Sequence, residues 1–261
     1  MSEDPLIGRE IGGVQLIGRL GAGGMAAVYL GLDRQAEGER CAIKLLSVAS
    51  HAHYRARFER EAQIGERLDH PLLVRVHRSG VSGDFHYMVM DLVEGEDLHH
   101  VLERHEGQLT WPAVAGLARD VGRALSALHA AGVVHRDVKP ANVLLDGRGG
   151  LRLADFGLAR WHGAPAELPT AVPLTATGDA FGTPAYMAPE QFEDAKSASY
   201  RADLYALGVV LYEALAGRLP YLAETPLQQA QAHLEGEIPA LEGEFPQALK
   251  DLIRALLAKA P

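Results

Sequence analysis

The run His135-Arg136-Asp137-Val138-Lys139-Pro140-Ala141-Asn142 is followed, thirteen residues after its asparagine, by Asp155-Phe156-Gly157. No other stretch constrains the fold as strongly. In about twenty positions it collects a proton acceptor, a cation and two types of metal ligand, so a fold that uses them must bring Asp137, Asn142 and Asp155 to one place. The chemistry that needs this set is phosphoryl transfer. A hydroxyl attacking the terminal phosphate of ATP requires a carboxylate to orient it and take its proton, a divalent metal to neutralise the phosphates, and oxygen ligands to hold that metal.

The chain around this set changes character partway along. Residues 14–20, 27–33 and 40–46 alternate apolar and polar side chains between glycine-rich or charged turns, which predicts an antiparallel meander with three strands before the first helix. Over residues 54–68, Phe58, Ala62, Gly65 and Leu68 recur at helical spacing, and His70-Pro71 ends the pattern. Glu61 falls on that same face. A carboxylate on a core-facing stripe is costly unless paired, and Lys44 on the third strand is the natural partner. Residues 74–79 and 85–90 read as two more strands, and 91–95 as a connector. Beyond it, 112–131, 200–217 and 247–259 read as helices, with 143–145 and 151–153 forming a small hairpin. The expected class is α+β, a small antiparallel β-rich lobe with one helix followed by a larger, mainly helical lobe. Residues 163–177, rich in Ala, Pro and Thr, suit a regulatory loop.

A net charge of -9 with no Lys/Arg run excludes nucleic acid as the main partner. The single cysteine, Cys41, excludes an intramolecular disulfide and reads as a small core residue. The acidic N-terminus lacks the features of a signal peptide, and the longest apolar stretch, 204–212, is too short to span a bilayer, which takes about 20 residues. The expectation is a cytoplasmic segment that makes no membrane contact itself. His51/His53 and His99/His100 have no zinc-like spacing and read as exposed histidines.

The ordered set HRDVKPAN, DFG and Ala188-Pro189-Glu190 resembles the protein kinase superfamily. Gly21-Ala22-Gly23-Gly24-Met25-Ala26-Ala27-Val28 is similar to its glycine-rich loop, and Cys41-Ala42-Ile43-Lys44 to its phosphate-binding lysine strand. The resemblance runs from about Val14 to the last residue. Lys139 and Gly182-Thr183-Pro184 are similar to serine/threonine kinases, while the Gly-Gly-Met loop and Tyr186-Met187-Ala188-Pro189-Glu190-Gln191 resemble the bacterial, eukaryotic-like branch.

What the resemblance implies is a bilobal kinase fold with an N-terminal extension at 1–13, an N-lobe at 14–90, a hinge at 91–95 and a C-lobe at 96–261. It implies Asp137 as base, Lys139 near the γ-phosphate, Lys44 on the α- and β-phosphates held by Glu61, and Asn142 and Asp155 as ligands of Mg²⁺, with Mn²⁺ as a substitute. ATP would lie under Gly21, Gly23 and Gly24. Its adenine would sit between Leu20, Val28 and Ala42 above and Leu144 below, bonding backbone of Asp91 and Val93, with Met90 as gatekeeper. Acceptors would be Ser/Thr hydroxyls of other proteins and of the chain itself, with Thr175 and Thr177, and less so Thr170, as activation-loop phosphorylation sites pairing with Arg136. Thr183 would bond Asp137 and Lys139, and Asp203 would tie the catalytic loop to the helix from Tyr200.

The departures from the family pattern set further expectations. Ala26 stands where the family has the third loop glycine, and the resemblance would place Gly65, with His135, Phe156 and Val76, in an apolar stack, where it has no side chain to stack and costs about 1 kcal/mol against Ala in a helix. The inward position of that helix is therefore expected to need phosphorylation or a partner, and Gly65→Leu to raise basal activity. The chain stops before the family's final arginine, so Glu190 is expected to lack that partner, and a sensor or membrane tether would belong to a missing C-terminal region. The alternative readings are a pseudokinase that binds ATP as a scaffold, disfavoured by the retained Lys44, Asp137 and Asp155, and a small-molecule phosphotransferase, disfavoured by the DFG-to-APE segment.

Overall fold

The structure, a computed structural model, describes residues 4–22, 26–156, 160–161, 184–193 and 198–259. It consists of two compact units, Met1–Glu94 and Gly95–Pro261. The first holds β1 (Glu10–Ile11), β2 (Val14–Ala22), β3 (Ala27–Asp33), β4 (Glu39–Ser47), α1 (Ala52–Arg67), β5 (Val76–Ser82) and β6 (Phe85–Met90). Its strands form an antiparallel sheet in the order β1-β2-β3-β4-β6-β5. Four strands precede α1 rather than the three expected. The extra one, β1, is a two-residue strand that pairs Ile11 with Val14 and is too short to show alternation. β5 starts at Val76, two residues later than its apolar run suggested.

Period-two alternation gives this sheet two apolar faces. Ile43 and Leu45 of β4 join Val14, Leu16, Tyr29 and Val89 on one face, beneath Leu6 of the N-terminal segment. Asp4 fastens that segment by accepting from the Tyr29 hydroxyl at 2.9 Å and from Leu6 N–H at 3.0 Å. On the other face Leu46, Val76 and Met88 pack against Phe58 and Ala62 of α1. Cys41 is buried, and burial pushes its thiol up to about 11, so it stays a neutral core residue. Near it, Arg78 of β5 donates to both oxygens of Asp33 at 2.6 and 2.8 Å and to the Gly12 carbonyl at 3.2 Å. This guanidinium holds the Asp33 carboxyl below the usual range.

The second unit holds β7 (Gly95–Asp97), α2 (Leu98–Arg104), α3 (Trp111–Ala130), β8 (Val133–Val134), β9 (Val143–Asp146), β10 (Leu151–Leu153), β11 (Arg160–Trp161), α4 (Pro189–Glu193), α5 (Tyr200–Ala216), α6 (Pro226–Glu235) and α7 (Gln247–Leu256). The expected hairpin is β9–β10, extended by β7 into a three-stranded sheet, and β8 pairs with β11. α2 and α4 are too short for a periodic signal. α6 did leave one, the capping box in which Thr225 and Gln228 satisfy each other's backbone N–H groups, a pattern the sequence reading missed. α7 ends at Leu256, short of the expected 259.

α5 is apolar on nearly all sides because it is the buried axis of this unit. It ends at Gly217, whose φ of 73° is the left-handed cap that glycine adopts without strain. A side chain at Gly208 would meet Leu256 Cβ at 2.8 Å, so this glycine permits the close approach of α7. Tyr212 is fully buried, and among the described residues its hydroxyl makes no hydrogen bond. Tyr212→Phe removes a desolvated group without breaking a bond, and is expected to leave stability unchanged or raise it by about 1 kcal/mol in a denaturant titration. Among the described residues no helix is long and apolar enough to cross a membrane.

Candidate active site

In the first unit, Lys44 extends from β4 with Val28 opposite it on β3 and Met88 on β6. Its Nζ lies 2.7 and 2.8 Å from the two carboxylate oxygens of Glu61, which α1 buries. Both links were readable from periodicity, since a carboxylate on the apolar stripe of α1 stays charged only with a cation at hand. Ala42 and Met90 are cross-strand partners. Leu20 is exposed, and Gly21, opposite Val28, has open space where a Cβ would stand. The N–H of Asp91 donates to the Arg75 carbonyl at 3.0 Å. Its carboxylate contacts His77 Nε2 at 2.9 Å.

In the second unit a buried carboxylate organises the loop after β8. Asp203 of α5 has no exposed surface. Its Oδ1 accepts the Arg136 N–H at 2.7 Å, and its Oδ2 accepts the His135 N–H at 2.9 Å and lies 2.8 Å from His129 Nε2. The expected tie between this loop and α5 is therefore present. The two backbone bonds hold Arg136 at φ 67°, a left-handed conformation that a side chain with Cβ adopts only under constraint. That turn delivers Asp137. Lys139 Nζ donates to Asp137 Oδ2 at 2.8 Å, and Asn142 Nδ2 donates to the Asp137 carbonyl at 2.7 Å and to Oδ2 at 3.1 Å. Lys139 thus lies on the carboxylate itself.

Asn142 closes a 3-10 turn begun by Pro140, and its carbonyl accepts the Ala154 N–H at 2.9 Å. That bond draws the exit of β10, and with it Asp155, beside the loop. Asp155 is also left-handed, at φ 65°, and exposed. The His135 ring lies 3.2 Å from the Ala154 carbonyl and meets Phe156 edge-on at 5.8 Å. Four of the sequence-derived residues, Asp137, Lys139, Asn142 and Asp155, are thus gathered in this unit, with Leu144 on β9 half-buried.

The stretch 184–193 is fastened to the same unit. Tyr186 donates to Glu213 of α5 at 2.6 Å, and burial holds that carboxyl above the usual range. Gln191 accepts the Ala188 N–H at 3.0 Å and reaches the Arg136 carbonyl at 3.5 Å, while Arg136 Nη2 donates to the Ala198 carbonyl at 3.0 Å. Glu190 makes an interaction of its own. Gly23, Gly24, Gly157, Thr170, Thr175, Thr177, Gly182 and Thr183 lie outside the described residues.

The protein kinase domain family matches this chain over residues 14–261. The chain belongs to the protein kinase family. Among the relatives of this kinase domain, serine/threonine-protein kinase PknA of Mycobacterium tuberculosis is 38% identical over 98% of the chain and 59% of its own length. PknD of the same organism is 39% identical over 98% of the chain and 38% of its length. PkaA of Streptomyces coelicolor is 43% identical over 86% of the chain and 40% of its length. All three are bacterial and all carry the serine/threonine name, which bears out the branch read from the motifs. The kinase domain spans less than two thirds of the length of each relative. Its succession of a β-rich unit and a mainly helical one is the α+β arrangement expected of the family.

Proposed function

We propose that this kinase domain transfers the γ-phosphoryl group of ATP to Ser and Thr hydroxyls of proteins. The observation that carries the reading is the geometry of Asp137. Among the described residues its donors, Lys139 and Asn142, meet one oxygen, Oδ2, which leaves Oδ1 to orient an acceptor hydroxyl and take its proton. Lys139, already at that carboxylate, is close enough to follow charge onto the moving phosphoryl group. The donor set also fits a divalent cation. With the NH₂ end of Asn142 donating to Asp137, its Oδ1 would serve as one ligand, and the carboxylate of Asp155, an exposed residue, as the second. When bound, Mg²⁺, or Mn²⁺ in its place, would neutralise phosphate charge.

In this reading Lys44, held by Glu61, meets the α- and β-phosphates. The residues proposed to contact the adenine are Leu20, Val28 and Ala42 in the first unit and Leu144 in the second, with backbone groups of Asp91 and Val93 for its edge and Gly21, Gly23 and Gly24 for the phosphates. The proposed domain runs from 14 to 261 with its hinge at 91–95. Thr175 and Thr177 are the autophosphorylation sites that pair with Arg136 and activate the domain. Incubation with Mg-ATP followed by mass spectrometry tests both parts. Expected are added phosphates on the protein, mapped to Thr175 or Thr177, and labelling of a generic protein acceptor. An ATP-binding scaffold would bind nucleotide and label nothing.

A further inference from the structure

His233 of α6 has no exposed surface, and side chains from several elements converge on its ring. Its Nδ1 lies 2.8 Å from the Tyr205 hydroxyl of α5, and its Nε2 lies 2.9 Å from Gln229 Nε2. Phe192 of α4 and Tyr221 pack on the ring at 5.8 and 5.0 Å, and the backbone of Ala185 also acts on it. Gln229 donates from the same NH₂ group to the Tyr221 carbonyl at 3.3 Å, so the ring nitrogen it touches must accept and the proton sits on Nδ1, toward Tyr205. Lys259 donates to the His233 carbonyl at 2.6 Å, capping the end of α6, and stands 4.1 Å over the Tyr221 ring.

Burial and then the Lys259 charge push the imidazole down to about 4, against which only the Ala185 backbone acts. The other ionisable groups around it, Tyr205 and Tyr221, are themselves pushed up by burial, with Glu190 acting on Tyr205. On acidification the unfolded chain takes this proton first, near pH 6.5, so stability is expected to fall between about pH 6.5 and 4. A pH series of melting curves in which His233→Gln flattens that limb checks it.

We infer that His233 is a positioning residue for transfer to protein acceptors: its ring joins the stretch 184–192 to α5 and α6, and that stretch flanks the catalytic loop. This rests on the reading that the kinase domain phosphorylates proteins. The linkage is continuous. From the ring it passes through Ala185 and Phe192 to Gln191, which reaches the carbonyl of Arg136, the residue before the base. The side-chain amide of Asn142 donates to Asp137 and not to this linkage, so the KM for ATP should be insulated.

Steady-state kinetics of the wild type, His233→Phe, His233→Gln and Tyr205→Phe, with ATP and the acceptor varied separately, tests the inference. In His233→Phe the KM for the acceptor should rise about tenfold while the KM for ATP stays within about twofold. His233→Gln, which keeps polar contacts, should recover part of the loss. Tyr205→Phe, which removes the Nδ1 partner, should move the same parameter and carries the test if His233→Phe does not fold. A fall in kcat with acceptor KM unchanged, or a loss of melting temperature with no change in KM, overturns the role of His233. A wild-type protein that labels no acceptor overturns the underlying reading as well.

Discussion

Asp137→Asn is expected to lower the rate of phosphoryl transfer by about 10³-fold while leaving nucleotide affinity within about twofold. The substitution keeps the shape of the side chain and removes its basicity. In the structure Lys139 and Asn142 both donate to Asp137 Oδ2, and Asn142 also holds the Asp137 carbonyl. An amide can satisfy part of that arrangement, but whichever end faces Lys139, one of its two groups becomes a donor. If the NH₂ takes the Oδ2 position it opposes both neighbours. If it takes the Oδ1 position it meets the acceptor hydroxyl as a donor and can take no proton. Neither orientation restores catalysis.

On the proposed reading the residues of this loop act as a unit, so their losses should not add. Asp137→Asn combined with Lys139→Ala is expected to be about as slow as Asp137→Asn alone, because a lysine that stabilises the moving charge has nothing to assist once the acceptor is misoriented. Transfer of labelled phosphate to a generic protein acceptor, with nucleotide binding measured in parallel, checks both expectations. Residual activity within tenfold of wild type would remove Asp137 from the role of base.

How far the sequence spoke depended on distance along the chain. The gathering of Asp137, Lys139, Asn142 and Asp155 was legible because HRDVKPAN occupies eight consecutive residues and must form one loop, while a short hairpin joins its asparagine to Asp155. Lys44 and Glu61 were legible because two periodicities, one of strand and one of helix, each assigned a face, and a buried carboxylate demands a cation. The Asp33–Arg78 pair was not. Its members are 45 residues apart, Asp33 stands at a strand end where a charge reads as a turn, and only the folded sheet order shows that Arg78 reaches it. The cluster around His233 escaped for the same reason. Histidine in an amphipathic helix carries no local mark of burial, and the groups that enclose it come from α4, α5 and residue 259. The lesson lies in particular residues: local motifs announce chemistry, and the contacts that hold that chemistry rigid are tertiary.

Asp203→Asn is the substitution expected to destabilise the second unit most, by about 3–5 kcal/mol, the usual cost of breaking a buried charged network. Three groups converge on this carboxylate, and the two backbone N–H groups among them need an acceptor. Oδ1 receives Arg136 N–H, and Oδ2 receives His135 N–H with His129 beside it. An asparagine offers one oxygen. Placed at Oδ2, it leaves its NH₂ facing the Arg136 N–H. Placed at Oδ1, it sets two donors against His135 and His129. Since Asp203 itself has no exposed surface, water has little access to repair either mismatch. The consequence should reach the base, because these bonds hold Arg136 in its left-handed turn. Relaxing φ from 67° would swing the next residue, Asp137, out of line. Thermal unfolding should therefore show a drop of about 10 °C, with transfer rate lost at temperatures where the variant remains folded and ATP still binds. The two readouts separate the effects. A variant that melts early but transfers normally while folded would make Asp203 a support of the helix alone, and one that melts with the wild type would mean the three bonds are not what holds this loop.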